Sequence, residues 1–191
     1  MTCKRILNIV LCVFLFVLAV VIGSFSIIVC YEKAKSFITT DYNLYLENGT
    51  YFEQTASLVM PSKNVLDSAK IVHYQYEYNY GVICEGNKML RLIAIYPEDD
   101  FHTMKDALEE QYLMQDECYR ETFLLDDEVY YCYIFYNNSP TSVNAYAMAY
   151  SIDINEKRIS YILYGSFDIQ VMSAKSALSS YYGEGRITSA P

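Results

Sequence analysis

The chain has 191 residues, with 23 acidic and 14 basic side chains, 21 tyrosines, six cysteines and no tryptophan. Every acidic residue and every tyrosine follows Cys30, against only 12 of the basic ones, so the part beyond Cys30 carries a formal charge of −11. Such a surface repels phosphate backbones, which excludes nucleic acid as a natural partner. The three cysteines beyond Cys30 (Cys84, Cys118 and Cys132) allow at most one internal bridge and no disulfide framework.

Ile6 to Cys30 is an apolar run without a charge, directly behind Lys4 and Arg5. The hydrocarbon core of a bilayer is roughly 30 Å thick and takes about 20 helical residues to cross, so this run is long enough to span it. A secretory signal has an apolar stretch of only about 7–15 residues and a small-residue cleavage site. Gly23, Ser24 and Ser26 approach such a site only weakly, and Ile27, Ile28 and Val29 before Cys30 lack the small residues of a lipoprotein signal. Residues 6–30 therefore read as an uncleaved transmembrane anchor behind a cytoplasmic N-terminus of residues 1–5. Secretion after signal cleavage is the alternative. The flanking charges, Lys4 and Arg5 with the initiating amine in front and Lys33 and Lys35 behind, differ little. The short front segment and the acidic bulk behind place the N-terminus inside and the rest outside.

Residues 31–64 have scattered apolar positions, a turn at Asn48-Gly49 and a stop at Met60-Pro61-Ser62, and read as a juxtamembrane stem. The main domain is expected over residues 65–183. Between Ile71 and Tyr80, Val72, Tyr74, Tyr76, Tyr78 and Tyr80 alternate with His73, Gln75, Glu77 and Asn79, the period of a half-buried strand. Met89 to Tyr96 is apolar on both faces except Arg91, as in a more central strand. Pro97 and the carboxylates of Glu98, Asp99 and Asp100 suit the first turn of a helix, and Phe101, Met104, Leu108 and Tyr112 give it one apolar stripe. Tyr119–Leu125 and Glu128–Tyr136 flank Asp126-Asp127 as one hairpin, followed by a loop at Asn137–Pro140. Val143–Ile154 and Lys157–Tyr164 flank Asn155-Glu156 as a second. A last helix capped by Ser166 or Asp168 carries Val171, Ala174, Leu178 and Tyr181 on one side and stops at Gly183. Residues 184–191 read as a polar, frayed tail.

The sum is an α+β domain: an antiparallel sheet of about five or six strands with two packed helices on one face, plus the N-terminal transmembrane helix. The Met60-Pro61-Ser62 start, the strand–strand–helix order of Ile71–Leu113 and the tyrosine-rich hairpins of Glu128–Tyr164 resemble a group of uncharacterised exported proteins of Gram-positive bacteria, single-pass or lipid-anchored. That resemblance implies the same location and fold class and carries over no activity, cofactor or functional residue.

Candidate chemistry is sparse. His73 sits beside Gln75 and Glu77 on a polar strand face, and His102 has Glu98 and Asp106 four residues to either side, a spacing typical of weak surface pairs. No H-E-x-x-H, G-x-S-x-G or glycine-rich phosphate loop is present. Cys132 alternates with Tyr130, Ile134 and Tyr136 in an apolar strand, a setting that raises a thiol pKa. Glu98–Asp100 and Asp126–Glu128 are the densest acidic clusters, explained by a helix dipole and a turn, and Asp153-x-Asn155 lacks the remaining ligands of a calcium loop. No cofactor or metal is expected. Tyrosine pairs a large ring with a polar tip, so Tyr130, Tyr136, Tyr146, Tyr150 and Tyr164 are expected to form an interaction face for a protein or peptide, unless tyrosine simply fills a wide sheet. The function these readings imply is non-catalytic binding at the cell envelope. An envelope hydrolase with a site assembled only in three dimensions is the alternative.

Overall fold

The structure, a computed structural model, describes residues 2–45, 59–80, 86–139, 142–165, 173–183 and 186–189. Helix α1 (Thr2–Lys35) is unbroken, and its stretch Val10–Tyr31 is apolar, long enough to cross a membrane and wholly unburied by the rest of the chain. The hydroxyl of Ser26 donates to Ile22 O at 2.9 Å, so this polar group is satisfied within the helix. One residue later comes β1 (Phe37–Thr39) and then a 3₁₀ turn at Tyr42–Leu44, capped by the Asp41 side chain. After a single helical turn at Lys63–Leu66 follow β2 (Lys70–Asn79) and β3 (Asn87–Ile95), then helix α2 (Glu98–Leu113). β4 (Arg120–Leu125), β5 (Glu128–Ser139), β6 (Ser142–Asp153) and β7 (Arg158–Gly165) precede helix α3 (Ala174–Tyr182) and β8 (Ile187–Ser189).

The strands form one sheet in the order β1-β2-β3-β7-β6-β5-β4-β8, every neighbouring pair antiparallel. The sequence predicts five or six strands; the structure has eight. The additional ones are β1, inside the predicted stem, and β8, inside the predicted tail. At three residues each they are too short to show a period, and they exist because an edge strand supplies backbone partners. Of the loop predicted at Asn137–Pro140, Asn137 to Ser139 belong instead to β5, which stays paired with β6 out to Ser139 and Ser142; Pro140 lies outside the described residues. The β2–β3 register shifts between Ile71 and His73, and that bulge turns Val72 out to solvent instead of aligning it with the tyrosines.

The two helices pack on opposite faces, not on one. Phe101 and Leu108 of α2 join Tyr76, Leu92, Tyr133, Met148, Tyr150 and Tyr161 on the first face, with Tyr45 and Met60 of the stem. Leu178 of α3 joins Phe123, Tyr130, Cys132, Ile162 and Tyr164 on the second, over the small side chains of Ala145, Ala147 and Ala149. Three alanines on one strand let the α3 backbone approach closely, which draws that helix to the second face. Asp126 and Asp127 both take positive φ (52° and 68°), the two-residue turn whose twist matches a hairpin. α3 is capped by Ser173 and ends at Gly183 with φ 93°, a conformation glycine adopts without strain. The predicted cap Ser166 or Asp168, and Val171, lie outside the described residues, as do Asn48-Gly49 and Cys84.

Candidate functional site

β5 and β6 pair from Ser139 and Ser142 as far as Tyr131 opposite Tyr150, and there the ladder stops. Both strands run on. Residues 128–130 remain paired with β4, and residues 151–153 remain paired with β7. The sheet therefore forks, and each arm keeps a backbone edge that no described strand occupies. Continued zipping would set Val129 opposite Ile152 and Glu128 opposite Asp153. Like charges directly across a ladder are destabilising, which supplies a sequence-level reason for the opening.

Arg158, the first residue of β7, bridges the mouth. Its Nη2 lies 2.6 Å from Glu128 Oε1 and 3.3 Å from Asp153 Oδ2, and its Nη1 lies 3.5 Å from Glu156 Oε2. One guanidinium thus faces three carboxylates, leaving the rim negative. Asp153 Oδ1 also accepts from the backbone N–H groups of Asn155 and Glu156, at 3.0 and 3.1 Å, and so folds the β6–β7 turn. The cleft holds about 510 Å³ and is lined on its apolar side by Val129, Tyr131, Ile152 and Ile154. It is an open groove and not an enclosed pocket. Tyr131 closes the crotch of the fork. Its ring stacks on Tyr150 at 5.5 Å and meets Tyr112 of α2 edge-on at 5.6 Å. Tyr131 and Ile154 are 38% and 64% exposed, so the cleft offers an apolar wall to solvent.

The fork lies at one end of the sheet and α1 at the other. Tyr78, Lys88, Gly165, Tyr146 and Phe135 make one row across the strands, and Lys70, Ile95, Arg158 and Asp153 make another. Seven residues of β7 separate the rows, about 23 Å at the rise of an extended strand. α1 contacts the first row's end, where Tyr80 N donates to Ser36 Oγ at 2.9 Å.

The tyrosines predicted as an interaction face are placed differently. Tyr130, Tyr146, Tyr150 and Tyr164 are between 1% and 5% exposed, and the side chain of Tyr136 lies outside the described residues. Tyr146 and Tyr150 point to the first face and Tyr130 and Tyr164 to the second, so they share no surface. Alternation fixes which residues share a face, but α2, α3 and the stem cover both faces here. Tyrosine fills the sheet, with hydroxyls tied internally where partners exist: Tyr96 and Tyr161 hydroxyls lie 3.0 Å apart, and Tyr45 donates to Pro61 O at 2.7 Å.

The remaining candidates separate likewise. His73 is half-buried on the second face of β2, where burial, and after it the Arg91 charge, lowers its pKa. Its Nε2 and the Arg91 Nε have no hydrogen-bond partner among the described residues. His102 is exposed on α2, its Nε2 3.1 Å from Glu98 Oε1, while Asp106 pairs with Lys105. Glu98 also meets Lys157, and Asp100 accepts from Ser68 at 2.6 Å. Asp126 holds Arg186 at 2.6 Å, beside β8. Cys132 is a free, fully buried thiol whose pKa burial pushes well up, with Glu121 adding to the shift. Among the described residues, no group of three or more His, Cys, Asp or Glu is arranged to hold a metal ion. Glu128, Tyr131, Asp153 and Arg158 escape sequence reasoning as a group, because only the β5–β6 register makes them neighbours.

No family model matches the chain, and no curated protein or solved structure matches it either.

Proposed function

We propose that this chain is a membrane-tethered, non-catalytic binding protein. In this reading α1 stays in the bilayer as an uncleaved anchor with Met1 on the cytoplasmic side. The eight-stranded domain works outside, and the fork between β5 and β6 receives an extended segment of a protein or peptide partner. The observation that carries it is the ladder that stops at Tyr131 and Tyr150 while both strands continue. A strand laid into such an opening gains backbone hydrogen bonds from the free edges, and the apolar wall takes alternate side chains. The rim's excess of carboxylates selects basic side chains in the guest. The acidic domain remains soluble beside the membrane and repels anionic competitors.

A photoreactive side chain at Val129, in the full chain in intact membranes, tests the site. The expected outcome is a discrete peptide or protein adduct at Val129 and none with the same group at exposed His102. Equal labelling at both positions, or none at Val129, contradicts the assignment.

A further inference from the structure

α1 passes into the sheet with a single residue, Ser36, between helix and strand, so the tether has no slack. Contacts at the junction make the connection rigid. Besides the Tyr80–Ser36 hydrogen bond, the Tyr31 ring at the top of the apolar stretch meets Tyr80 edge-on at 5.8 Å, and Lys35 Nζ lies over the Tyr31 ring at 5.8 Å. From there aromatic contacts continue without a gap: Tyr80 to Tyr78 at 6.1 Å, Tyr78 to Phe37 at 5.9 Å and Phe37 to Tyr76 at 5.5 Å. The chain of rings thus starts at the last residue of the membrane-length stretch, passes through Phe37 of the edge strand β1 and ends at Tyr76 of its neighbour β2. Tyr31, Phe37 and Ile38 are all exposed there, Ile38 to 63%.

Tyr80 touches Tyr31 and so stands at the level where the hydrocarbon ends. Half the difference between total bilayer thickness and hydrocarbon core leaves a headgroup layer of about 5–8 Å on each side. The helical residues from Tyr31 to Lys35 rise about 6 Å, and Phe37 and Ile38, opposite Tyr78 and Glu77, lie about 7 and 10 Å along the sheet from Tyr80, so Phe37 starts within that layer and Ile38 just above it. Aromatic rings with a polar tip gather at this depth, and lysines beside them reach the headgroups. Lys33 and Lys35 are exposed at this end, and Lys88 pairs opposite Tyr78. They locally offset the negative charge of the domain.

We infer that the Tyr31–Tyr80–Phe37–Ile38 end of the domain is seated in the lipid headgroup layer, docking the edge strand β1 on the bilayer and fixing the sheet with its fork pointing away from the membrane. The inference rests on the anchor reading of α1. It turns a tether into an orienting mount, and it assigns the exposed apolar side chains of β1 to lipid.

The absence of tryptophan makes a direct test available, because each introduced indole is the only one in the chain. Three full-length variants, Val17→Trp, Ile38→Trp and Ile154→Trp, are reconstituted in phosphatidylcholine vesicles with and without bromine on the acyl chains near the headgroups. The expected result is blue-shifted, bromine-quenched emission from Ile38→Trp, quenching of Val17→Trp, and water-like, unquenched emission from Ile154→Trp beside the fork. If Val17→Trp is quenched while Ile38→Trp matches Ile154→Trp, the docking is overturned and the anchor stands. If Val17→Trp itself escapes quenching, the anchor reading falls and the docking with it.

Discussion

At the scale of single residues, the decisive feature is how tyrosine is used. Burial pushes the Tyr74, Tyr96 and Tyr182 hydroxyls up to about 12 and Tyr161 well above the ordinary value, because an ionised phenolate loses its hydration inside the sheet. The sign follows from linkage. The native state holds these protons above pH ~10, where the unfolded chain releases them, so stability is full below that pH and falls as pH rises toward about 12. Tyrosinate absorbance and circular dichroism recorded together should therefore show a small early step from exposed rings. A large second step should coincide with unfolding. Ionisation of all 21 tyrosines near pH ~10 with the dichroism intact would count against the buried network. The sequence makes part of this legible. The alternation in β2 correctly separates Tyr74, Tyr76 and Tyr78 from the wetter His73, Gln75 and Glu77. It cannot tell that Tyr130 and Tyr164 are buried on one face and Tyr133, Tyr146, Tyr150 and Tyr161 on the other, since periodicity identifies sides and is silent on what covers them.

Elements were legible where they are long and punctuated. The stripe and the proline start of α2, the Asp126-Asp127 turn and the glycine stop of α3 each follow from a local physical rule, and each is where that rule puts it. β1 and β8 were not legible, because three residues carry no period and their pairing is decided by distant partners. The face taken by α3 was also hidden, although Ala145, Ala147 and Ala149 point to it in retrospect. Ala149→Leu fills the space beneath α3 and should cost about 1–3 kcal/mol in urea unfolding, whereas a neutral effect would argue against close helix–sheet packing there. The fork belongs to this scale too. Glu128→Thr removes the like-charge pair across the opening, so the β5–β6 ladder should extend by a pair or more. Amide exchange at residues 129, 130 and 151–153 should then slow in the variant. Unchanged exchange would show that the Glu128–Asp153 repulsion does not hold the strands apart.

For the molecule as a whole, the strand order carries what no local pattern holds. The β2–β3 hairpin docks on β7, and β4 lies far out at the other side, reached from β3 through α2. This arrangement brings Arg158 at the start of β7 to Glu128 at the start of β5, 30 residues away in the chain. It also puts the fork at the end of the sheet opposite α1, so that a bilayer-bound α1 leaves the cleft facing outward. The apolar N-terminal helix and the acidic, tyrosine-rich remainder were legible from composition. The fork proposed as the binding site was not, because it is made by a break in pairing. The measurement that bears most directly on the account is selection from a random peptide display library on the full chain held in nanodiscs, repeated with Glu128→Thr. The account predicts enrichment of extended sequences carrying lysine or arginine on the natural chain and loss of that enrichment on the variant. The same sequences retained by both, or enrichment without basic residues, would contradict it.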